Sequence, residues 1–176
     1  RAVAVFGTLF NDLYVVKRDG SGNALRQIKV PLSYGPREKF LARIRQEENL
    51  NDPRLAIKLP RMSFQITSIN YDESTRLTRG TQYKISSEST PFGARTMFYP
   101  STYRLGFELS IISKHQDDAL QILEQILPFF QPEYTVTVNE VDNNFKSDMP
   151  FVLNDVSLAD DYEGDFQTRR SLVYTL

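Results

Sequence analysis

The chain has 176 residues, 40% of them hydrophobic and 24% charged, with a formal net charge of −1. That is globular material, long enough to bury a core as one domain. With no cysteine and a single histidine, disulfides, zinc–thiolate sites and thiol nucleophiles are excluded, and little remains for a His-rich metal centre or a Ser-His-Asp triad. No apolar run approaches the ~20 residues of a membrane-crossing helix, and "RAVAVFGTLF" lacks the features of a secretory signal. Without an initiator Met, the sequence is expected to lack some native residues.

The charge is unevenly placed. Residues 1–104 carry 17 Lys/Arg against 9 Asp/Glu, and residues 105–176 carry 4 against 13. Such a split fits a nucleic-acid-binding half, complementary faces that meet between subunits, or two halves that interleave on folding.

In chain order, the apolar positions of "AVAVFGTLF" fall close to helical spacing and predict a short helix. "LYVVKRD" and "ALRQIKVPL", separated by "GSGN", read as a β-hairpin. In the second run Ala24, Arg26, Ile28, Val30 and Leu32 share a face. "GPREKFLARIRQEE" predicts a helix with Pro36 at its first position and a short stripe of Phe40, Leu41 and Ile44. "RMSFQITSIN" alternates Met62, Phe64 and Ile66 with polar neighbours, as a half-buried strand does.

Residues 73–101 are rich in Ser, Thr, Arg and Gly and hold no core periodicity. They are expected to form an arm or long loop that orders against a partner. "TYRLGFELSII" then returns to alternation, with Tyr103, Leu105, Phe107, Leu109 and Ile111 on one face. A helix follows, and then strands "YTVTVNEV", "FVLNDVSLA" and "TRRSLVYTL". The expectation is a single α+β domain over 1–176. Its mainly antiparallel sheet is packed by one long and two short helices, with an arm or loop at 73–101.

The stretch "SKHQDDALQILEQILPFFQPEY" places His115, Asp117 and Asp118 within four positions, the residue types of a metal or catalytic site. Each also has a structural role. Ser113 and Gln116 have capping-box spacing, and the two aspartates fall where the helix dipole favours acids. Ala119, Ile122, Leu123, Ile126, Leu127 and Phe130 give a continuous apolar stripe. Pro128 is expected to push Leu127 off helical dihedrals and help close the helix. A metal would need further donors, so a helix start is predicted and no metal or organic cofactor is expected.

The acidic run "DDYEGD" lacks the ligand spacing of a calcium loop and reads as a solvated hairpin tip. Arg169 and Arg170, adjacent on a predicted strand, point to opposite faces, so a subunit contact accounts for at least one. The candidate interface residues are therefore Asp160, Asp161, Glu163, Asp165, Arg169 and Arg170, with Arg76, Arg79 and Arg95 from the arm. No phosphate-binding glycine loop, HExxH or GxSxG occurs.

Four runs, "IKVPLSYGPREKFLARI", "LPRMSFQITSINYD", "YRLGFELSIISKHQDDALQILEQILPFFQPEY" and "RRSLVYTL", together resemble the tail sheath stabiliser and completion proteins of T4-like bacteriophages. The third run is the most specific, and the resemblance is weakest over 73–100. It implies a non-enzymatic virion protein, assembled in the host cytoplasm. Its members form a hexameric ring that caps the head-proximal end of a contractile tail and holds the sheath extended. The implied partners are the sheath protein, the tail tube terminator and the neck or head-completion proteins. DNA passes through the ring without sequence-specific binding, and no membrane is involved. The chain stops at "SLVYTL", where the family pattern leads one to expect further residues. Two other classes compete: a nucleic-acid-binding module using the basic first half, and a metal-dependent hydrolase using Asp160, Asp161, Glu163 or Asp165.

Overall fold

The structure is a computed structural model that describes residues 2–20, 22–46, 59–75, 78, 80–86, 94–98, 101–139, 146–161 and 171–176. Among them are α1 (Ala2–Leu9), β1 (Tyr14–Arg18), β2 (Ala24–Lys29), β3 (Leu32–Tyr34), α2 (Arg37–Gln46) and β4 (Arg61–Tyr71). A 3₁₀ turn, Glu73–Thr75, precedes β5 (Gln82–Ser86), β6 (Ala94–Phe98), β7 (Tyr103–Ser113) and α3 (Gln116–Ile126). A second turn, Leu127–Phe129, leads to β8 (Glu133–Asn139), β9 (Lys146–Val152), β10 (Ser157–Asp161) and β11 (Ser171–Thr175). The fold is α+β with mostly antiparallel sheets, as the element pattern predicts. The helices are nearly equal: α3 has 11 residues, α2 has 10 and α1 has 8. None is long and apolar enough to cross a membrane.

The chain divides into two compact units, residues 1–65 with 108–176, and residues 66–107. The first contains most of a five-stranded sheet ordered β10-β11-β7-β4-β3. The β11–β7 ladder is antiparallel and is extended by a reciprocal backbone pair between Leu109 and Leu176, 3.0 Å each way. β3 runs parallel to β4. The predicted single run Ala24–Leu32 therefore breaks at Val30 and Pro31: β2 belongs to the hairpin with β1, whereas β3 joins the large sheet. Proline cannot donate to a ladder, which makes Pro31 a natural point for the strand to leave one sheet for another. The hairpin turn closes through Asp19 and Asn23, and Gly22 supplies the φ of +82° that other residues resist.

Burial decides how each strand's pattern is used. Leu109, Ser110, Ile111, Ile112 and Ser113 are all buried, because this half of β7 lies mid-sheet and is covered on both faces. On β4, Ser63 is buried between Met62 and Phe64 for the same reason. Helix α1 sets Phe6 5.1 Å from both Phe10 and Phe64, and 6.1 Å from Phe151. Gly7 lets this helix approach, since a Cβ there would stand 3.3 Å from the Phe64 ring. Each such aromatic or branched side chain contributes about 1.5–3 kcal/mol of burial.

Helix α3 buries Ala119, Ile122 and Ile126 fully, while Leu123 and Phe130 are half-buried and Leu127 is 38% exposed. The predicted stripe fades there because the helix tightens into the 3₁₀ turn carrying Pro128. Leu127 keeps helical dihedrals, φ −56° and ψ −39°, contrary to expectation. The constraint of Pro128 on its predecessor is absorbed by that tightened turn. The run "FVLNDVSLA" also divides, its first residues closing β9 and its last forming β10.

In the second unit the outer halves of β4 and β7 accompany the antiparallel hairpin β5–β6, in register Gln82↔Phe98 to Ser86↔Ala94. Gly106 stands so close to Ser68 Oγ that a Cβ would collide with it, and the hydroxyl would have to turn away.

Candidate functional site

The histidine cluster resolves into a helix start built differently from the expected capping box. His115 is the N-cap residue, with extended dihedrals and no side-chain cap bond. The buried Ser113 hydroxyl instead donates to the His115 carbonyl at 2.9 Å, so it orders the turn before the helix and caps no N–H. The physical reason is position: Ser113 still belongs to β7, and its side chain points into the core. Asp117 is exposed. Asp118 is buried and accepts both of its short contacts from Lys17 Nζ, 2.7 and 2.6 Å, which ties α3 to β1. Among the described residues no group of three or more His, Asp or Glu side chains converges as a metal site would require.

A second link between α3 and β1 is made by two glutamines. Gln125 Oε1 accepts the Tyr14 N–H at 3.2 Å, and its amide donates to the Tyr14 carbonyl at 2.7 Å. Gln121 Oε1 accepts the Val16 N–H at 2.9 Å. Since the Val30 N–H bonds the Leu13 carbonyl, Tyr14 and Val16 turn their backbone groups away from β2. The glutamines thus satisfy the free edge of β1 as another strand would. They floor a shallow groove lined by Tyr14, Val16, Gln27, Gln121, Glu124 and Gln125. Three amides, the Glu124 carboxylate and the Tyr14 phenol give that groove hydrogen-bonding groups on an otherwise open surface.

The second unit presents an apolar strand face. The Asp72 N–H donates to the Thr102 carbonyl, and the Tyr71 and Tyr103 rings meet edge-on at 5.6 Å. This pairing sets Tyr71 opposite Tyr103 and, two residues along, Ile69 opposite Leu105. These four side chains are 44%, 58%, 63% and 39% exposed, an arrangement of large apolar groups more typical of assembly surfaces than of free ones. On the predicted alternating face of this strand Tyr103 and Leu105 are exposed, whereas Leu109 and Ile111 are buried. Alternation reports a two-faced strand but not which of its faces is covered. The one signal for exposure was that both strands end in tyrosine where they enter the hydrophilic 73–101 segment.

On the reverse side of the strand ends, Asp72 accepts from Ser74 Oγ at 2.7 Å, the Ser74 N–H at 3.2 Å and Arg104 at 3.1 Å. The Ser74 hydroxyl foremost, then its N–H and Arg104, hold the Asp72 carboxyl below the ordinary carboxylate value.

Of the residues predicted to meet a neighbour, Arg76, Arg79, Glu163, Asp165, Arg169 and Arg170 lie outside the described residues. Asp160 and Asp161 end β10, where they pair in register with Leu172 and Ser171, and Arg95 lies on β6 opposite Ile85. Of the run predicted as a hairpin tip, Asp160 and Asp161 are therefore strand residues, and the rest lies outside the described residues. Several cations of the basic first half are engaged within the fold. Lys17 pairs with Asp118, Lys29 with Asp12 at 2.8 Å, Arg37 with Glu38 and Arg104 with Asp72. The Arg61 guanidinium lies 5.0 Å over the Phe40 ring.

Comparison with known proteins places the chain in a family. Residues 1–176 match the family described as T4-like virus Myoviridae tail sheath stabiliser. The chain is also 28% identical over 183 aligned positions to the tail completion protein gp15 of Enterobacteria phage T4. That alignment covers 100% of this chain and 66% of the relative, so the chain spans just under two thirds of the relative's length.

Proposed function

Because the chain belongs to the tail sheath stabiliser family of T4-like viruses, we propose that it is a structural component of a contractile phage tail. In this reading it sits at the head-proximal end, caps the completed tail, keeps the sheath extended and offers a docking surface to the neck. It works through surfaces and not through catalysis, and it needs no metal or organic cofactor. The observation that carries the reading is the match along all 176 residues, which includes every element of both units.

A cap on a tubular tail implies identical subunits arranged around an axis, each contact joining two different surfaces until the ring closes. Six subunits follow from the resemblance of the sequence runs. The basic and acidic halves of the sequence supply two unlike surfaces, and the 73–101 segment, with its hairpin β5–β6, is a second means of reaching a neighbour. The sheath protein, the tail tube terminator and the head-completion proteins are the proposed partners, with DNA passing through the ring unread. Nothing favours the nucleic-acid-binding alternative. Light scattering of the purified protein across concentration and salt tests the ring: an assembly several times the monomer mass is expected. A monomer under every condition would contradict it.

A further inference from the structure

Edges of sheets are where chains pair with other chains, and proteins defend those not meant to pair. In the first unit the edge of β1 is closed by Gln121 and Gln125. The edge strand β3 is only three residues long. β9 carries Pro150, which has no N–H to offer. Among the described strands of this unit, β2 and β10 have edges with longer backbone and opposite charge. β2 continues straight from Arg26 to Lys29 beyond the irregularity near the turn at Leu25, and five of its six residues are exposed, Ile28 alone being half-buried. β10 is the terminal strand of the five-stranded sheet, and Ser157, Leu158 and Ala159 are all exposed. β2 brings Arg26, flanked by Arg18, with Lys29 already paired to Asp12, whereas the sequence of β10 ends in Asp160 and Asp161. β8 is open too, but Glu133 is its only charged residue.

We propose that β2 of one copy pairs edge to edge with β10 of the next, a strand-to-strand contact between identical subunits. Charges on an edge discourage pairing with a like edge and admit one of opposite sign, so the same residues that prevent β2–β2 and β10–β10 association select β2–β10. The two strands also match in length, six residues against five. The contact is heterologous, as a closed ring demands, and its backbone hydrogen bonds persist when salt screens the charges. The pairing rests on the reading of the protein as a ring of identical subunits.

The absence of cysteine makes the test clean. Arg26→Cys and Gln27→Cys are each mixed, under mild oxidation, with Ser157→Cys, Leu158→Cys or Ala159→Cys, and light scattering is recorded on the same samples. The expected result is disulfide-linked dimers in mixtures of one β2 and one β10 variant and in neither variant alone. Neighbouring positions should alternate in yield, because successive strand side chains face opposite ways. Thr135→Cys on β8 serves as control. Association without a β2–β10 cross-link, or with cross-linking to Thr135→Cys instead, overturns the pairing and leaves the ring standing. No association in any sample overturns the ring and the pairing together.

Discussion

At the scale of single residues, the Lys17–Asp118 pair shows how burial sets the consequence of a charge. Asp118 is 6% exposed at its side chain and Lys17 is 39% exposed, so the cation can turn to water if it loses its partner and the carboxylate cannot. Lys17→Ala should therefore destabilise by on the order of 2–3 kcal/mol, short of the full penalty for breaking a fully buried pair. Asp118→Asn, which keeps an acceptor for the ammonium, should cost about 1 kcal/mol. Urea denaturation that ranks the two in the reverse order would show that the carboxylate is better hydrated than its burial indicates. Asp72 offers a second residue-level expectation. Its carboxyl is held below the ordinary carboxylate value, so the stabilisation is present above that value and is lost as pH falls through the lowered one. Ser74→Ala removes the largest contributor, and NMR titration should find the Asp72 midpoint raised toward the ordinary value.

Among elements, the closure of β1 by two α3 glutamines is the joint on which the smaller sheet depends. Gln125→Ala removes partners from both the Tyr14 N–H and its carbonyl. It should cost about 1–3 kcal/mol and speed amide exchange at Tyr14 before that at Val15, which faces β2. Equal protection of both amides in the variant would contradict the assignment. Contacts of this kind, 111 residues apart, leave no local mark in a sequence. Periodicity and turn residues do, and for that reason the hairpin around Gly22, the strands β4, β7 and β11, and the stripe of Ala119, Ile122 and Ile126 were legible. Switches between sheets were not. Val30 and Pro31 interrupt a run whose apolar pattern continues unbroken, and residues 151–159 alternate across the gap between β9 and β10. Ser113 was misread because capping-box spacing says nothing about whether the serine still belongs to the preceding strand. The exposure of Tyr103 and Leu105 left no mark either, because alternation is blind to which part of a face a neighbour covers.

For the whole molecule, the site was legible only as an absence. One histidine and no cysteine leave no thiolate or His-rich centre, and what the fold presents is surface: an apolar face at Tyr71 and Tyr103 and open strand edges of opposite charge. In the proposed function these are parts of an assembly that caps a tail. The most direct measurement is electron microscopy of contractile tails lacking their head-proximal cap, imaged before and after addition of the purified protein. The expected result is ring-shaped density at the head-proximal end of each tail and sheaths that remain extended where untreated ones contract. Tails that bind none of the protein at that end, with sheaths that contract as before, would contradict it.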